Sequence, residues 1–158
     1  MEFLTSPTPD DVCPFCNIVS SKDDRQSLIV HRAGRAYIVL NKYPYNNGHL
    51  LIVPNTHGGD FALLPLEDWA EITSLAKFAV RLLELAYKPH GFNIGMNIGE
   101  AGGAGVKQHL HLHVVPRWTG DTNFMPVLGE TKSLPQHLLA SYDLIRSQLQ
   151  LTENAGGG

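Results

Sequence analysis

The stretch that decides the fold is Gln108-His109-Leu110-His111-Leu112-His113-Val114-Val115-Pro116-Arg117, in which histidine and leucine alternate before an apolar run ends at a proline. Strict alternation over six or more residues is typical of a half-buried β-strand, because successive side chains point to opposite faces of the sheet. We therefore predict a strand over 109–115, with Leu110, Leu112 and Val114 facing a core. The three histidines would share the other face, with neighbouring rings about 6.7 Å apart.

A row of histidines on one strand face suits two chemistries. His-x-His can place two ring nitrogens on one metal ion. Imidazole also titrates near neutrality, and it therefore serves as a nucleophile or an acid–base group. Residues 99–106, Gly-Glu-Ala-Gly-Gly-Ala-Gly-Val, lead into the histidines. A glycine-rich run alone is more often a flexible hairpin, but beside three aligned histidines we interpret it as a phosphate-binding loop, whose backbone N–H groups converge on an anion.

Four further strands are predicted from short apolar runs at 28–32, 36–41, 49–53 and 92–98. The clearest helix is predicted over 65–88, where apolar residues recur every three or four positions and a proline stands at each end. A second helix is predicted over 135–149. Strands joined by short turns, with one long helix inserted, indicate an α+β fold with an antiparallel sheet.

Length and composition limit the possible architectures and partners. We divide the 158 residues into an N-terminal arm (1–12), one folded domain (13–150) and a disordered tail (151–158). The net charge of −3 without a polybasic run argues against DNA or RNA as a partner, because nucleic acid requires a phosphate-neutralising patch. No segment resembles a signal peptide or reaches the length of a membrane span, and we therefore expect a cytoplasmic protein with no membrane partner.

The histidine stretch resembles a known family. Residues 109–115 fit the His-φ-His-φ-His-φ-φ signature, where φ is apolar, of the histidine triad (HIT) superfamily of nucleotide hydrolases and transferases. Residues 41–54 and 117–124 are most similar to the branch of diadenosine tetraphosphate (Ap4A) phosphorylases and related dinucleoside polyphosphate enzymes. The resemblance runs from about Cys13 to about Pro135. It implies a five-stranded antiparallel sheet with two helices, paired with a second copy into a ten-stranded sheet, and hence a homodimer.

The resemblance implies that His111, the middle histidine, is the nucleophile and that His113 supports it or the leaving oxygen. Imidazole nitrogen attacks phosphorus and leaves readily from a phosphoramidate, so that one difficult displacement becomes two easier ones. We expect cleavage of a dinucleoside polyphosphate through a nucleotidyl-His111 intermediate that phosphate or water resolves. Two alternatives stay open: a regulatory protein that binds AMP without useful turnover, and a metalloenzyme with three histidines on one ion.

Five further residues have expected substrate contacts that rest on the resemblance. Asn41 matches a position that binds ribose hydroxyls, His49 matches a fourth histidine that lines the pocket, and Asn97 matches an asparagine on the phosphate side. Many HIT hydrolases carry a glutamine or serine a few residues before the triad. Here Gly105 and Val106 stand at that place, so that a backbone N–H would have to replace the side chain.

Cys13 and Cys16 are spaced as half of a tetrahedral zinc site, which needs two more ligands. His57 is the candidate third ligand and His109 the candidate fourth. Several HIT proteins are similar in holding a structural zinc with a Cys-x-x-Cys, a histidine after a Pro-x-x motif and the first triad histidine. Redox chemistry and simple packing compete for a Cys-x-x-Cys pair. A closed Cys2His2 site has no position for water, so a zinc ion here would be structural.

Overall fold

The computed structural model describes residues 12–121 and 135–155. Its sheet has five antiparallel strands in the spatial order β1-β2-β3-β5-β4. The strands are β1 (Ile29–Arg32), β2 (Ala36–Leu40), β3 (Leu50–Pro54), β4 (Gly91–Met96) and β5 (Leu112–Arg117). The helices are α1 (Pro14–Val19), α2 (Asp24–Ser27), α3 (Leu66–Tyr87) and α4 (Pro135–Ala155), with a 3-10 turn at Phe61–Leu63. The predicted α+β fold is confirmed.

Helix α3 packs against β2, β3 and β5, and α4 packs against α3 and β1. The core-facing residues of α3 follow the helical spacing seen in the sequence: Ile72, Leu75, Ala76, Ala79, Leu82 and Leu83. Each leucine or isoleucine buried in this way stabilises the fold by about 1.5–3 kcal/mol. Every residue of β2 and of β3 is buried, which explains why both strands are continuous apolar runs. β4 forms one edge of the sheet and keeps an exposed middle.

The strand predicted over 109–115 begins later, at Leu112, where β3 pairing starts with Ile52. β3 ends at Pro54, and the preceding residues bond to loops instead: the Leu110 N–H donates to the Gly58 carbonyl oxygen at 2.8 Å. The face that the histidines were predicted to share is closed to solvent at His109 and His111, which are 0% and 6% exposed. Leu112 and Val114 do face the core, as predicted.

The helix boundaries also differ from the prediction. α4 continues to Ala155 and takes up residues 151–155 of the predicted disordered tail, because no glycine or proline interrupts the helix before residue 156. Residues 1–11 of the predicted arm and 156–158 of the tail lie outside the described residues. The polar stretch after α1 contains the short helix α2. Among the described residues, no helix is long and apolar enough to cross a membrane.

Candidate functional site

The middle histidine of the triad lines a cleft of about 330 Å³, called the first cleft below, between α1, the loop after β2 and the glycine-rich loop. Part of its lining is apolar and comes from Phe15, Ile18, Val39 and Leu51. The structure brings six of the predicted site residues together here: Asn41, Asn97, Gly105, Val106, His111 and His113. A lining that combines apolar side chains with a few convergent polar groups is typical of a small-molecule site.

The hydrogen bond of His111 determines which of its ring nitrogens is free. Nδ1 lies 2.9 Å from the carbonyl oxygen of His109. A carbonyl oxygen can only accept, so Nδ1 carries the proton and donates, and Nε2 keeps its lone pair. The Phe15 ring packs against His111 with its centroid 4.9 Å away. Burial lowers the pKa of His111, which favours the neutral, nucleophilic form.

His49 and His113 form a hydrogen-bonded chain behind the first cleft. The Tyr45 N–H donates to His49 Nδ1 at 3.1 Å, so that His49 Nε2 carries the proton and donates to His113 Nδ1 at 2.9 Å. His113 must then hold its own proton on Nε2, an atom that is buried and has no hydrogen-bond partner among the described residues. Burial, reinforced by the neighbouring histidines, lowers the pKa of His49 to about 3 and that of His113 to about 4. Both rings are neutral at physiological pH, as the chain requires.

His49 therefore differs from the sequence expectation in one respect: it supports His113 from behind, fully buried, instead of lining the first cleft. Asn41 lines that cleft, and its Oδ1 accepts from the Tyr43 N–H at 2.9 Å. This bond orients the amide so that its NH2 group remains a donor. Phe15 and Tyr45 are site residues that sequence reasoning missed, because each is an ordinary aromatic residue far in sequence from the triad.

The glycine-rich run forms a turn that two nested hydrogen bonds close. The Gly103 N–H donates to the Glu100 carbonyl oxygen and the Ala104 N–H to that of Gly99, both at 3.0 Å. Gly99 and Gly103 adopt φ of 72° and 87°, in the left-handed region that favours glycine. A Cβ at Gly102 would collide with the Ile98 carbonyl oxygen. The loop is thus a specific glycine-dependent structure that places Gly105 and Val106 in the first cleft.

The predicted metal ligands form one cluster. The Sγ of Cys13 and the Nδ1 of His109 are 3.3 Å apart, as are the Sγ of Cys16 and the Nδ1 of His57, and all four ligand atoms lie within 4.8 Å of one another. His109 donates from Nε2 to the Pro54 carbonyl oxygen at 2.7 Å, which leaves the Nδ1 lone pair facing the sulfurs. A tetrahedral ion with bonds of about 2.3 Å to sulfur and about 2.0 Å to nitrogen needs S···N separations of about 3.5 Å.

This cluster is a possible metal site, and its donor set matches the geometry that zinc prefers. The arrangement also bears on the metalloenzyme alternative. His109 turns its free nitrogen to the cysteines, whereas the Nδ1 of His111 is bonded to a carbonyl oxygen and that of His113 to His49. The three histidines of the triad therefore do not converge on one ion.

A second cleft, of about 350 Å³, lies on the β4–β5 surface and shares Tyr45, Asn97 and His113 with the first cleft. Arg117 and Asp121 form its far wall. Asp121 accepts from Arg117 Nε and Nη2 at 2.9 and 2.8 Å, from the Trp118 N–H at 2.9 Å and from Asn46 Nδ2 at 2.8 Å. These bonds, with that of Arg117 the strongest, hold the pKa of Asp121 well below its usual range. No sequence spacing links Asn46 to Asp121.

Comparison with known proteins identifies the class to which the fold and the histidine site belong. The HIT domain family model matches residues 22–120. The chain therefore belongs to the HIT family, as the triad sequence predicts.

Individual relatives agree with this assignment. A Mycobacterium tuberculosis protein named AP-4-A phosphorylase is 39% identical over 135 residues, which span 85% of this chain and 69% of the relative. A crystal structure of a zinc-bound histidine triad family protein from Mycobacterium smegmatis superposes with a TM-score of 0.75 at 28% identity, covering 92% of this chain and 99% of that one. The diadenosine triphosphate hydrolase of Plasmodium falciparum shares the fold, with a TM-score of 0.70 at 20% identity over 88% of this chain and 98% of its own.

Proposed function

We propose that this protein transfers a nucleotidyl group from a dinucleoside polyphosphate such as Ap4A, through a covalent intermediate on His111. The observation that carries the proposal is the bond from His111 Nδ1–H to the His109 carbonyl oxygen, which leaves a neutral Nε2 lone pair on a ring that lines the first cleft. A positioned, neutral imidazole is the nucleophile that such a route needs. The 39% identity to a protein named AP-4-A phosphorylase supports the same class of substrate.

The reaction has two displacements at one phosphorus. Nε2 of His111 attacks the α-phosphorus, the bond from that phosphorus to the bridging oxygen breaks, and ATP leaves with the electron pair. An oxygen of phosphate or water then attacks the same phosphorus and loses its proton to solvent. The phosphorus–nitrogen bond breaks, which returns neutral His111 and releases ADP after phosphate attack or AMP after water attack.

The other residues of the first cleft hold the substrate for these steps. Asn41 donates to ribose hydroxyls, and Phe15, Val39 and Leu51 cover the base. The phosphate oxygens accept hydrogen bonds from the N–H groups of Gly105 and Val106 and from the amide NH2 group of Asn97. Preorganised donors of this kind stabilise developing charge without reorganising during the reaction.

His113 acts on the departing oxygen. Its Nε2–H, which has no partner in the described part of the chain, donates to the bridging oxygen of the substrate. An unpaired buried donor costs about 1–3 kcal/mol, which a substrate oxygen at this position recovers. His49 and the Tyr45 N–H keep the proton of His113 on Nε2.

The metal site holds zinc with a structural role. Cys13, Cys16, His57 and His109 supply two sulfur and two nitrogen ligands, and zinc would contribute folding free energy by joining α1 to the residues before β5. The relative from M. smegmatis is described as zinc-bound. All four ligand positions are protein atoms, so water has no place on the ion.

The chain also forms a symmetric homodimer in this proposal. β4 is an edge strand whose middle residues are exposed, and an unpaired edge invites pairing with a second copy. Light scattering at micromolar concentration should give the dimer mass. A monomer mass would overturn this part of the proposal.

The product pattern from Ap4A, with and without inorganic phosphate, tests the function. ATP plus ADP in the presence of phosphate identifies a phosphorylase, whereas ATP plus AMP identifies a hydrolase. Both patterns follow from asymmetric attack at an α-phosphorus. Two molecules of ADP would indicate attack at the centre of the phosphate chain, and no product at all would indicate a nucleotide-binding protein; either result contradicts the proposal.

A further inference from the structure

The second cleft is nearly as large as the first, at about 350 against 330 Å³, and the two meet at a common wall. Tyr45, Asn97 and His113 belong to both linings. His113 thus stands where the two clefts meet, two residues from the nucleophile. Two clefts of similar size on either side of this wall match a ligand that has two similar halves joined by a chain.

The charges of the second cleft exclude a strongly anionic occupant. Arg117 carries a guanidinium, but Asp121 accepts two of its hydrogen bonds, at 2.9 and 2.8 Å, and cancels its charge. The Asp121 carboxylate belongs to the same lining and repels phosphate. A site for a free phosphate ion or a polyphosphate would instead present unpaired donors.

The remaining groups suit a neutral polar ligand with an aromatic ring. Asn46 and Asn93 contribute amides whose polar groups suit sugar hydroxyls and base edges. The Asn46 NH2 group donates to Asp121 Oδ2 at 2.8 Å and to the Pro116 carbonyl oxygen at 3.1 Å, so its Oδ1 is the atom left to accept from a ligand. The Oδ1 of Asn93 accepts a hydrogen bond from Arg117 Nη1 at 2.7 Å, which leaves the NH2 group of Asn93 as the donor for a ligand. Tyr45 is 60% exposed and offers a ring face on which a base can stack.

We infer that the second cleft binds the nucleoside of the departing half of a dinucleoside polyphosphate. This inference rests on the proposed function and adds to it a substrate subsite. The first cleft holds the half that is transferred, the phosphate chain passes His113 and Asn97, and the second nucleoside lies between Tyr45 and the amides of Asn46 and Asn93. The Arg117–Asp121 pair builds the wall of this subsite and contributes no net charge.

Gly95 provides a direct steric test. It lies opposite His113 on β4, lines the second cleft, and has no described residue within 4 Å of the place where a Cβ would stand. Gly95→Val therefore inserts a side chain into the second cleft without backbone strain. Gly91→Val is the matched control, since Gly91 lies on the same strand opposite Arg117, is equally open, and lines neither cleft.

The ligands are AMP, which needs only the first cleft, and an Ap4A analogue whose bridging oxygens are replaced by methylene groups. Calorimetry should show the analogue binding more tightly than AMP to the wild-type protein. Gly95→Val should weaken analogue binding by about tenfold and leave AMP binding unchanged, whereas Gly91→Val should change neither. Asn93→Ala, which removes one exposed amide, should weaken the analogue by about fivefold with AMP again unchanged.

Two results would overturn the inference: equal losses for AMP and the analogue in Gly95→Val and Asn93→Ala, or no loss for the analogue in either. Thermal melting of each variant shows whether a loss of binding comes from unfolding. If Gly95→Val does not fold, Asn93→Ala still provides the test. Wild-type protein that binds the analogue in the expected pattern but does not cleave Ap4A would overturn the proposed reaction and leave the subsite intact.

Discussion

His109 and His111 are two residues apart and both are buried, yet the structure prepares them for opposite tasks. His109 donates from Nε2–H to the Pro54 carbonyl oxygen, which leaves the Nδ1 lone pair facing Cys13 and Cys16. His111 donates from Nδ1–H to the His109 carbonyl oxygen, which leaves the lone pair on Nε2. These bonds leave His109 suited to bind a metal ion and His111 suited to act as a nucleophile, which are the roles we propose for them. The backbone acceptor, more than the residue type or its burial, therefore determines which ring nitrogen keeps its lone pair.

The largest expected effect is the loss of Ap4A turnover when His111, the proposed nucleophile, is replaced. In His111→Asn the covalent route loses its nucleophile, so turnover of Ap4A should fall by roughly 10⁴-fold or more. AMP affinity should change little, because Asn is smaller and still forms hydrogen bonds. His111 is 6% exposed and packs on Phe15, so some loss of thermal stability is expected as well. Turnover near the wild-type value would mean that water or phosphate attacks directly.

His113→Asn should have a smaller effect on the same reaction. Hydrogen-bonding or acid–base help is typically worth about 10²–10⁴-fold, and the nucleophile is still present. The loss should appear in kcat, because the bridging oxygen needs this donor most as its bond breaks. Single-turnover kinetics should therefore show slower formation of the nucleotidyl-protein, which is trapped as an acid-labile, base-stable label. A loss confined to KM would assign His113 to ground-state binding.

Removal of a candidate metal ligand should lower the thermal stability of the protein more than its catalytic rate. Cys13→Ala or His57→Ala should remove one equivalent of zinc and lower Tm by roughly 10 °C, because structural zinc contributes folding free energy directly. His137→Ala, which removes an exposed histidine of α4, serves as the control and should keep both zinc and Tm. Metal analysis that finds no zinc in wild-type protein purified without a chelator would refute the assignment.

The smallest expected effect is on the pH dependence of stability. The folded pKa values of about 3 for His49 and about 4 for His113 lie below the ordinary value of 6.5. The unfolded chain therefore binds protons that the folded chain does not, and stability falls as the pH drops from about 6.5 toward 4.

His49→Asn removes one such group and tests this dependence. The slope of unfolding free energy against pH should become shallower by up to about 1.4 kcal/mol per pH unit, the value for one proton. Urea unfolding between pH 7 and pH 4.5 measures the slope. Identical slopes for the two proteins would show that His49 does not exclude protons in the folded state.

Local patterns in the sequence were sufficient for much of the fold. The spacing of Ile72, Leu75, Ala79 and Leu82 predicted α3, because side-chain periodicity follows directly from backbone geometry. Short apolar runs predicted four of the strands, and the alternation of histidine and leucine predicted the fifth. The triad resemblance named six residues of the first cleft and the four candidate metal ligands. These predictions depend on residue identity, which the sequence states.

Tertiary structure alone decided the details on which the chemistry depends. The start of β5 at Leu112 depends on where β3 ends, and the protonated nitrogens of His109 and His111 depend on the carbonyl oxygens of Pro54 and His109. Every residue has a carbonyl group, so no side-chain pattern marks which carbonyl oxygen a ring will meet. The second cleft likewise joins Asn46 to Asp121 across 75 residues. Contacts of this range form only when the chain folds, and they determine which nitrogen of each histidine is free to react.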